Sequence, residues 1–488
     1  MKLETLGIAG LGLYLLGLVV VAVVARRARR DATPADHFLA GRELGVFVLF
    51  LTLYATAYSG NSLLGYPGEA YRRGFSWVMA TGFMMSIIVA FHALVPRLRP
   101  VSVRGSFVTP GDWVRHRFGD ANGGLALQRG VAVLMTIALA NFLFAQLKAM
   151  GVMAEQVTGG FVSFEVGVVV LAAMILMYET LGGMRAVAWT DAAQGVLMLL
   201  GLGALLVWLL GAAGGLSALT TEVMRMRPEA VWIPDTVERT NWASTILLMA
   251  LASVVYPQAI QRVYAARSGQ ALRRALALMT FMPLTTTWVV TLIGLAAIPR
   301  FEALGEVAAD RVMPLLLGSW AEAGLASALG ATVVFLGALA AIMSTADSVL
   351  LSLGSLAAKD LVRASDDPAK TTRLGKRIAS VVMIAMAALV LWARGVTLWG
   401  LIELKMELLI QCVPAFLIAL HWKRLRADAA FVGLAVGTGI AITGVFLGVK
   451  RIEGVHIGVI GLAVNVAIGV LGSLARGNAG ERSGAGVG

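Results

Sequence analysis

The sequence predicts an all-α polytopic membrane protein, and three observations lead to that fold class. The 488 residues are 58% hydrophobic and 14% charged, whereas about 25% of the residues in a soluble domain are charged. The mean hydropathy is +0.82. The charged residues also cluster between long apolar blocks, which is typical of a chain that crosses a membrane many times.

About thirteen apolar blocks reach or approach the length of about 20 residues that a membrane-crossing helix needs. The first block lacks a small-residue cleavage site, so we expect it to be a retained helix and not a signal peptide. The predicted spans are residues 5–25, 43–66, 75–96, 127–157, 161–179, 187–212, 240–262, 270–298, 326–358, 375–395, 396–421, 427–448 and 455–475.

The distribution of lysine and arginine predicts the orientation of these spans. The net charge of +12 invites a nucleic-acid interpretation, but most of the 40 lysines and arginines fall in alternate loops, such as RVYAARSGQALRR at 262–274. Cytoplasmic loops are enriched in these residues. We therefore expect no nucleic-acid partner, and a bacterial-type inner-membrane protein with its N-terminus outside and its C-terminus in the cytoplasm.

Signs of catalytic chemistry are scarce. The single cysteine, Cys412, excludes an internal disulfide and a cysteine metal cluster, and the five histidines are scattered along the chain. We find no nucleophile–base pair, P-loop or dinucleotide-binding motif. The sequence therefore predicts that the protein is not an enzyme.

Two of the predicted spans are interrupted. The second contains Tyr-Ser-Gly-Asn-Ser at 58–62, followed by Pro67, and the seventh, five spans later and oppositely oriented, contains Pro257. Interrupted helices at matching places in two opposed halves indicate an inverted-repeat transporter, in which the freed carbonyls can bind a cation and the freed N–H groups an anion. The alternative is that each interruption is a helix kink whose only role is packing. This alternative has more weight for the seventh span than for the second.

A second polar block, GALAAIMSTADS at 337–348, lies within the ninth span. The hydroxyls of Ser344 and Thr345 could simply bond to carbonyls four residues back. Asp347 is harder to explain in this way, because a carboxylate at the bilayer centre costs about 2.5–3.5 kcal/mol and usually faces an interior or aqueous path. Hydroxyls with a carboxylate one turn away suit a small, hard cation.

Four segments carry a resemblance to a known family. They are LLGYPGEAYRRGFSW at 63–77, YETLGGMRAVAWTDAAQG at 178–195, IQRVYAARSGQALRR at 260–274 and AAIMSTADSVLL at 340–351. The chain resembles the bacterial sodium:solute symporters, the family of the proline, pantothenate and galactose symporters, over nearly its whole length. The resemblance implies a leucine-transporter-type five-plus-five inverted repeat, with one extra helix before it and two after.

This layout divides the chain into six segments. A monomer is sufficient for the transport that the resemblance implies. They are an N-terminal helix and cytoplasmic linker (1–42), the first inverted repeat (43–212), an external loop (213–239), the second inverted repeat (240–421), two C-terminal helices (422–476) and a disordered cytoplasmic tail (477–488).

The resemblance also implies a Na⁺ site between the broken helix and the ninth span. Its ligands would be the backbone carbonyls of Ala55, Tyr58 and Ala341 and the hydroxyls of Ser344 and Thr345.

Three further residues are expected to form a second cation site or the exit path for sodium. Asp191 matches the family's W-T-D aspartate, which lies on the inner sodium path, and the second-site positions fall at Asp347 and Ser348. Many members have serine where this chain has Asp347, which either strengthens a cation site or titrates as a proton site. The proline-transporting members have an aspartate at the position of Ala57. The pantothenate-type members, like this chain, lack that aspartate.

The substrate is expected between the broken helices and the fourth, ninth and eleventh spans. Glu403, Glu407 and Gln411 share one helical face, from which Lys405 lies about 200° away; alternatively, Glu407 bonds to neighbouring helices. The candidate substrate-binding residues are Ser59, Asn61, Ser62, Gln146, Gln258, Glu407 and Gln411.

Together these features predict a sodium-coupled secondary active symporter. It would import a small polar organic solute, an amino acid or a monocarboxylate, by alternating access, with Na⁺, the solute and the lipid bilayer as partners. Two alternatives keep the same fold. One is a proton-coupled carrier, and the other is a nutrient sensor, for which the short tail at 477–488 offers no signalling domain.

Overall fold

The structure is a computed structural model that describes residues 3–27, 33–301, 304–305, 308–362, 367–393 and 395–484. The described chain is almost entirely helical. The exception is a short antiparallel hairpin of β1 (Arg451–Ile452) and β2 (Val455–His456). Parts of the predicted linker (28–32) and of the predicted tail (485–488) lie outside the described residues.

Twenty α-helices make up the described chain, with short 3₁₀ and π turns between several of them. They are α1 (Leu3–Arg27), α2 (Pro34–Leu39), α3 (Val46–Ala57), α4 (Tyr66–Arg73), α5 (Met79–Arg104), α6 (Pro110–Phe118), α7 (Gly124–Val157), α8 (Phe164–Ala213), α9 (Leu216–Met226), α10 (Thr236–Val254), α11 (Pro257–Ala265), α12 (Gly269–Met279), α13 (Trp288–Ala297), α14 (Val312–Ala321), α15 (Leu325–Leu356), α16 (Pro368–Trp392), α17 (Leu398–Leu409), α18 (Ala419–His421), α19 (Ala427–Phe446) and α20 (Ile457–Gly484).

The count of thirteen membrane-crossing helices that the sequence predicts is not confirmed by the described residues. By length and composition, nine helical runs of the described residues can cross a membrane, or ten if the bent pair α10 and α11 is one span. The predicted spans 161–179 and 187–212 both fall within α8. The predicted span 43–66 contains the twelve-residue helix α3, which ends at Ala57, whereas the predicted span 396–421 is covered by α17 and α18 with short 3₁₀ and π turns between them. Helix α20 runs on to Gly484, into the predicted tail.

The long helix α8 is interrupted at Gly183. This residue has φ 57° and ψ −153°, a backbone conformation that glycine adopts without the steric penalty of a side chain. A Cβ atom there would also lie 2.4 Å from Nδ1 of His37. The break therefore has a local cause in the Gly-Gly pair of the sequence.

Helix α3 ends in mid-protein, at the polar stretch that the sequence singles out. Its last residue is Ala57, Tyr58 leaves the helical conformation with φ −101° and ψ 90°, and the chain resumes as a π turn over Asn61–Gly65. Glycine, serine and asparagine are weak helix formers. Gly60 also allows a close approach, since a Cβ atom there would lie 2.8 Å from the Cβ of Ala149.

The second predicted break separates α10 from α11. The two helices are bent by 50°, and Pro257 takes the first position of α11, where its missing N–H costs no helical hydrogen bond. Helix α15 packs against α8, α7, α1 and α3, and residues 337–356 are buried on every face, as expected for a helix at the centre of a bundle. Gly60 at the first break lies against Ile342 of α15, and α11, which follows the second break, also packs against α15.

Candidate cation site and central cavity

The hydroxyl of Thr345 connects the break after α3 to helix α15. Its Oγ1 atom donates to the carbonyl oxygen of Ala341 at 3.1 Å and lies 3.4 Å from the carbonyl oxygen of Ala55. All three residues are fully buried. Because the helix stops at Ala57, the carbonyls of residues 55–58 receive no backbone N–H within the described chain. Such freed carbonyls beside a hydroxyl are suitable ligands for Na⁺.

The other two predicted sodium ligands have different surroundings. Oγ of Ser344 donates to Oδ1 of Asp191 at 2.5 Å, so its hydroxyl points toward the aspartate. The carbonyl of Tyr58 has no hydrogen-bond partner among the described residues. The structure thus brings together Thr345, Ala55 and Ala341 and connects Ser344 to the neighbouring acidic cluster.

A fully buried ion pair lies next to this site. The Nη2 atom of Arg262 is 3.0 Å from Oδ2 of Asp191, and both side chains are 0% exposed. The same guanidinium donates to Ser348 Oγ at 2.5 Å, to Thr52 Oγ1 at 2.9 Å and to the carbonyl of Gln258 at 3.1 Å. Thr52 in turn donates to Asp191. This arginine ties α11 to α3, α8 and α15.

A second carboxylate belongs to the same cluster. Asp347 accepts hydrogen bonds from the hydroxyls of Tyr178 at 2.6 Å and Ser348 at 3.2 Å, and it is 0% exposed. Ser348 therefore connects the two acids, because it contacts Asp347 and also Arg262, which pairs with Asp191. With both carboxylates ionised, the cluster of two acids and one guanidinium has one negative charge in excess, which favours an additional cation.

Arg262 was not among the residues that the sequence singled out. In the sequence it begins a basic segment, RVYAARSGQALRR, which is predicted to be a cytoplasmic loop. The structure instead buries it inside α11. The signal that could have found it is its distance of five residues from Pro257, which restarts the helix and keeps the arginine inside the span.

A central cavity of about 100 Å³ lies between the two broken helices, with room for several water-sized groups. Four of the predicted substrate residues line it, namely Ser59, Asn61, Ser62 and Gln258. Both polar side-chain atoms of Asn61 and the Oε1 atom of Gln258 are buried without a hydrogen-bond partner among the described residues. Buried polar atoms are nearly always paired in native proteins, so these atoms are available to a ligand.

The other three predicted substrate residues lie elsewhere. Gln146 accepts a hydrogen bond from the backbone N–H of Gly60 at 2.9 Å and so supports the break from behind. Glu407 accepts from Nδ1 of His456 at 2.8 Å and from the N–H of Gly458, and Gln411 donates to the carbonyl of Gly458 at 2.8 Å. Glu407 and Gln411 therefore contact the start of α20 and are not among the described residues that line the cavity; bonding of Glu407 to neighbouring helices is the alternative that the sequence leaves open.

The cavity wall contains a buried lysine for which the sequence predicts no role. Lys405 is 2% exposed, lines the cavity, and places its Nζ atom 3.1 Å from the ring centre of Phe142 and 5.4 Å from that of Tyr256. A lysine at mid-membrane costs about 2.5–3.5 kcal/mol, and a desolvated cation–π contact returns about 2 kcal/mol. The two rings thus offset only part of that cost.

The other buried lysine near this region has a protein partner. Nζ of Lys148 donates to the carbonyl oxygen of Val396, and Lys148 does not line the cavity. The two lysines thus differ in the one feature that matters for a ligand, namely whether the ammonium group faces the cavity.

A cavity where two broken membrane helices meet, beside a cluster of freed carbonyls and hydroxyls, defines a secondary transporter. Comparison with protein families agrees with that class. The model of the sodium:solute symporter family matches residues 37–437, and the chain belongs to this family of multi-pass membrane transporters.

Individual relatives and structures agree with the family. The high-affinity proline transporter PutP of Bacillus subtilis is 27% identical over 427 residues, which cover 85% of this chain and 87% of that protein. The sodium/pantothenate symporter of Escherichia coli is 26% identical over 444 residues, or 87% of each chain. The solved structure of a Na⁺-coupled sialic acid symporter matches with a TM-score of 0.79 at 18% identity, covering 96% of this chain and 98% of that one. The relatives are transporters and not enzymes, and the structural match shows a shared fold.

Proposed function

We propose that the protein is a sodium-coupled symporter that imports a small polar organic solute, an amino acid or a monocarboxylate, by alternating access. The observation that carries this proposal is the position of the Thr345 hydroxyl between the carbonyls of Ala55 and Ala341. The same break supplies Asn61 to the cavity, where its amide group has no partner among the described residues. Ion and solute would therefore meet at one structural feature.

Sodium in this site would be held by oxygen atoms from both sides of the break. Its ligands would be the carbonyls of Ala55, Tyr58 and Ala341 and the hydroxyls of Ser344 and Thr345. Binding would join α3 to α15 and so stabilise the outward-open state before the solute binds. One Na⁺ moving inward across 100 mV releases about 2.3 kcal/mol, in addition to its concentration gradient.

The acidic cluster would take part in sodium release. Asp191 accepts a hydrogen bond from Ser344, which is one of the proposed sodium ligands. Asp347 and Ser348 extend this path. When both carboxylates are ionised, the excess negative charge of the cluster would favour a second cation there or a transient stop on the way to the cytoplasm.

The layout in the membrane is part of the same proposal. The breaks at Gly60 and Pro257 would occupy equivalent positions in two inverted five-helix repeats of the leucine-transporter type, residues 43–212 and 240–421. One helix would precede them and two would follow, with the N-terminus outside and the C-terminus in the cytoplasm. The identities of 27% and 26% to two transporters over most of the chain support this arrangement.

Proton coupling is a second candidate, and Asp347 favours it. A fully buried carboxylate beside a second one is a group that can bind a proton in place of a cation. Uptake into proteoliposomes, with choline replacing sodium and a pH gradient imposed, separates the two. Under sodium coupling uptake stops in choline, and under proton coupling it persists and is lost in Asp347→Asn.

The deciding experiment is ²²Na⁺ binding to the purified protein. The wild type should bind ²²Na⁺ saturably, with no displacement by K⁺, and the double variant Ser344→Ala/Thr345→Ala should lose this binding while eluting as a folded monodisperse protein. Absence of ²²Na⁺ binding to the wild type would overturn sodium coupling and leave proton coupling as the better proposal.

A further inference from the structure

The ammonium group of Lys405 faces the central cavity without an anionic partner. Within the described chain no carboxylate and no hydrogen-bond acceptor contacts its Nζ atom, whose close neighbours are the rings of Phe142 and Tyr256. These two rings are stacked with their centres 5.8 Å apart. They form a cation-tolerant wall on one side of the lysine and leave its other side to the cavity.

The described residues of the remaining cavity wall offer no compensating charge. No aspartate or glutamate is among the described residues that line it. The other cationic group in the wall, Arg262, is already engaged by Asp191, Ser348 and Thr52. In its ammonium form, Lys405 therefore carries the one charge of the cavity that the described residues leave uncompensated.

Most of the wall is apolar or aromatic. Its polar side chains include Ser59, Asn61, Ser62, Ser253 and Gln258, besides Arg262 and Lys405. Apolar side chains from α5, α10, α12 and α17 make up what is called here the apolar face, for example Phe83, Ile88, Met249, Leu276, Met279 and Ile402.

We propose that Lys405 binds the carboxylate of the transported solute, and that this solute is a monocarboxylate with an uncharged, largely apolar chain. The proposal rests on the proposed function and names its substrate class. A monocarboxylate neutralises Lys405 and leaves the cavity without net charge. A zwitterionic amino acid leaves the excess positive charge in place and adds an ammonium group that no acidic side chain of the wall meets.

In this proposal each part of the cavity contacts a different part of the solute. The carboxylate would accept hydrogen bonds from Lys405 Nζ in a site from which water is largely excluded, where a charge-assisted hydrogen bond is strong. The chain of the solute would contact the apolar face. The unpaired amide of Asn61 and Oε1 of Gln258 would select members that have a hydroxyl or keto group.

The test uses the purified full-length protein in sodium buffer, with sulfate as the only added anion. Thermal stabilisation is measured with monocarboxylates from acetate to octanoate, including branched, hydroxy, keto and phenyl-substituted members. Each acid is paired with its amide and its 2-amino acid. We expect at least one acid to bind at least tenfold more tightly than both of its counterparts.

Two lysine variants then locate the carboxylate site. Lys405→Met should weaken binding of that acid at least tenfold, whereas Lys405→Arg should retain part of it. Lys148→Met, which removes a buried lysine that contacts Val396 instead of the cavity, should leave it unchanged. ²²Na⁺ binding is measured on every variant and shows whether each one is folded.

The outcomes separate the two proposals. Absence of ²²Na⁺ binding in the wild type overturns the proposed function. Intact ²²Na⁺ binding, together with no acid in the panel that binds, overturns the role of Lys405 alone. So does equal binding of an acid to wild type and Lys405→Met, or equally tight binding of acid and 2-amino acid. Stabilisation by chloride alone, dependent on Lys405 and as large as that by any acid, would identify an inorganic anion as the ligand and also overturn the proposal.

Discussion

The guanidinium of Arg262 and the carboxylate of Asp191 lie 3.0 Å apart and are both 0% exposed. This pair fastens α11, the helix after the second break, to α8. Asp191 also accepts hydrogen bonds from Thr52 on α3 and Ser344 on α15. Four helices around the proposed ion path thus meet at one carboxylate, and any movement of one of them must alter this contact.

Removal of one partner of this pair should destabilise the protein strongly. Arg262→Gln leaves Asp191 buried without its counterion, a situation that costs about 3–5 kcal/mol in other proteins. The double variant Arg262→Gln/Asp191→Asn should regain much of that loss, because neither charge then remains unpaired. The measurement is thermal unfolding of the purified protein.

The chain offers a matched control for this prediction. Arg426 and Asp428 also lie 3.0 Å apart, but their side chains are 40% and 26% exposed. An exposed pair contributes about 0–1 kcal/mol, so Arg426→Gln should hardly change the unfolding temperature. Equal effects of the two arginine variants would contradict the importance of the buried pair.

Loss of the Thr345 hydroxyl should weaken sodium binding without unfolding the protein. In Thr345→Ala the site loses the oxygen that lies near both Ala55 and Ala341. We expect at least a tenfold weaker affinity for ²²Na⁺, equivalent to about 1.4 kcal/mol, and an equally shifted sodium dependence of uptake.

Thr332→Ala is the control on the same helix. The hydroxyl of Thr332 makes the same kind of bond, to the carbonyl of Ala328 at 2.8 Å, but far from the break. Its removal should leave the sodium dependence of uptake unaltered. An unchanged sodium dependence in Thr345→Ala itself would rule out the assigned site.

Glu407 should matter for stability and not for substrate affinity. Its carboxylate accepts from Nδ1 of His456, whose Nε2 atom lies 3.0 Å from Oγ1 of Thr245. Glu407→Gln disturbs this buried chain of hydrogen bonds, and we expect a lower unfolding temperature with the KM for the solute unchanged. A raised KM at an unchanged unfolding temperature would return Glu407 to the substrate site.

In the eleventh predicted span, the periodicity of the polar residues predicts which of them share a helical face but not what that face contacts. The spacing of Glu403, Glu407 and Gln411 places them on one helical face, and the structure keeps them on one side of α17, facing α20 and the hairpin before it. Periodicity, however, does not say which neighbour a face meets. The face with Lys405, about 200° away, is the one that meets the cavity.

The breaks were predictable from sequence because their causes are local. Glycine, serine and asparagine after α3 and proline at the start of α11 weaken a helix wherever it packs. The partners of buried charges have no such local signature. Arg262 and Asp191 are 71 residues apart in the chain, and only the tertiary fold, in which α11 packs against α15 and α3, brings them into contact.

Close packing at the break should make Gly60 intolerant of even one methyl group. A Cβ atom at this position would lie 2.8 Å from the Cβ of Ala149 and 2.9 Å from Cγ1 of Ile342. Its backbone dihedral angles, φ −52° and ψ −34°, suit any residue, so the constraint is steric and comes from α7 and α15. Gly60→Ala must push the break away from α15 and so separate Ala55 from Thr345.

We therefore expect Gly60→Ala to lower both ²²Na⁺ affinity and the unfolding temperature. Gly203→Ala provides the comparison, because a Cβ atom on Gly203 of α8 meets nothing within 4 Å. Alanine is favoured over glycine in a helix by about 1 kcal/mol, so this variant should be at least as stable as the wild type and bind sodium equally well. If Gly60→Ala instead binds ²²Na⁺ with wild-type affinity, the contact between the break and α15 is not what holds the ion, and the sodium ligands must be sought deeper, around Asp191 and Asp347.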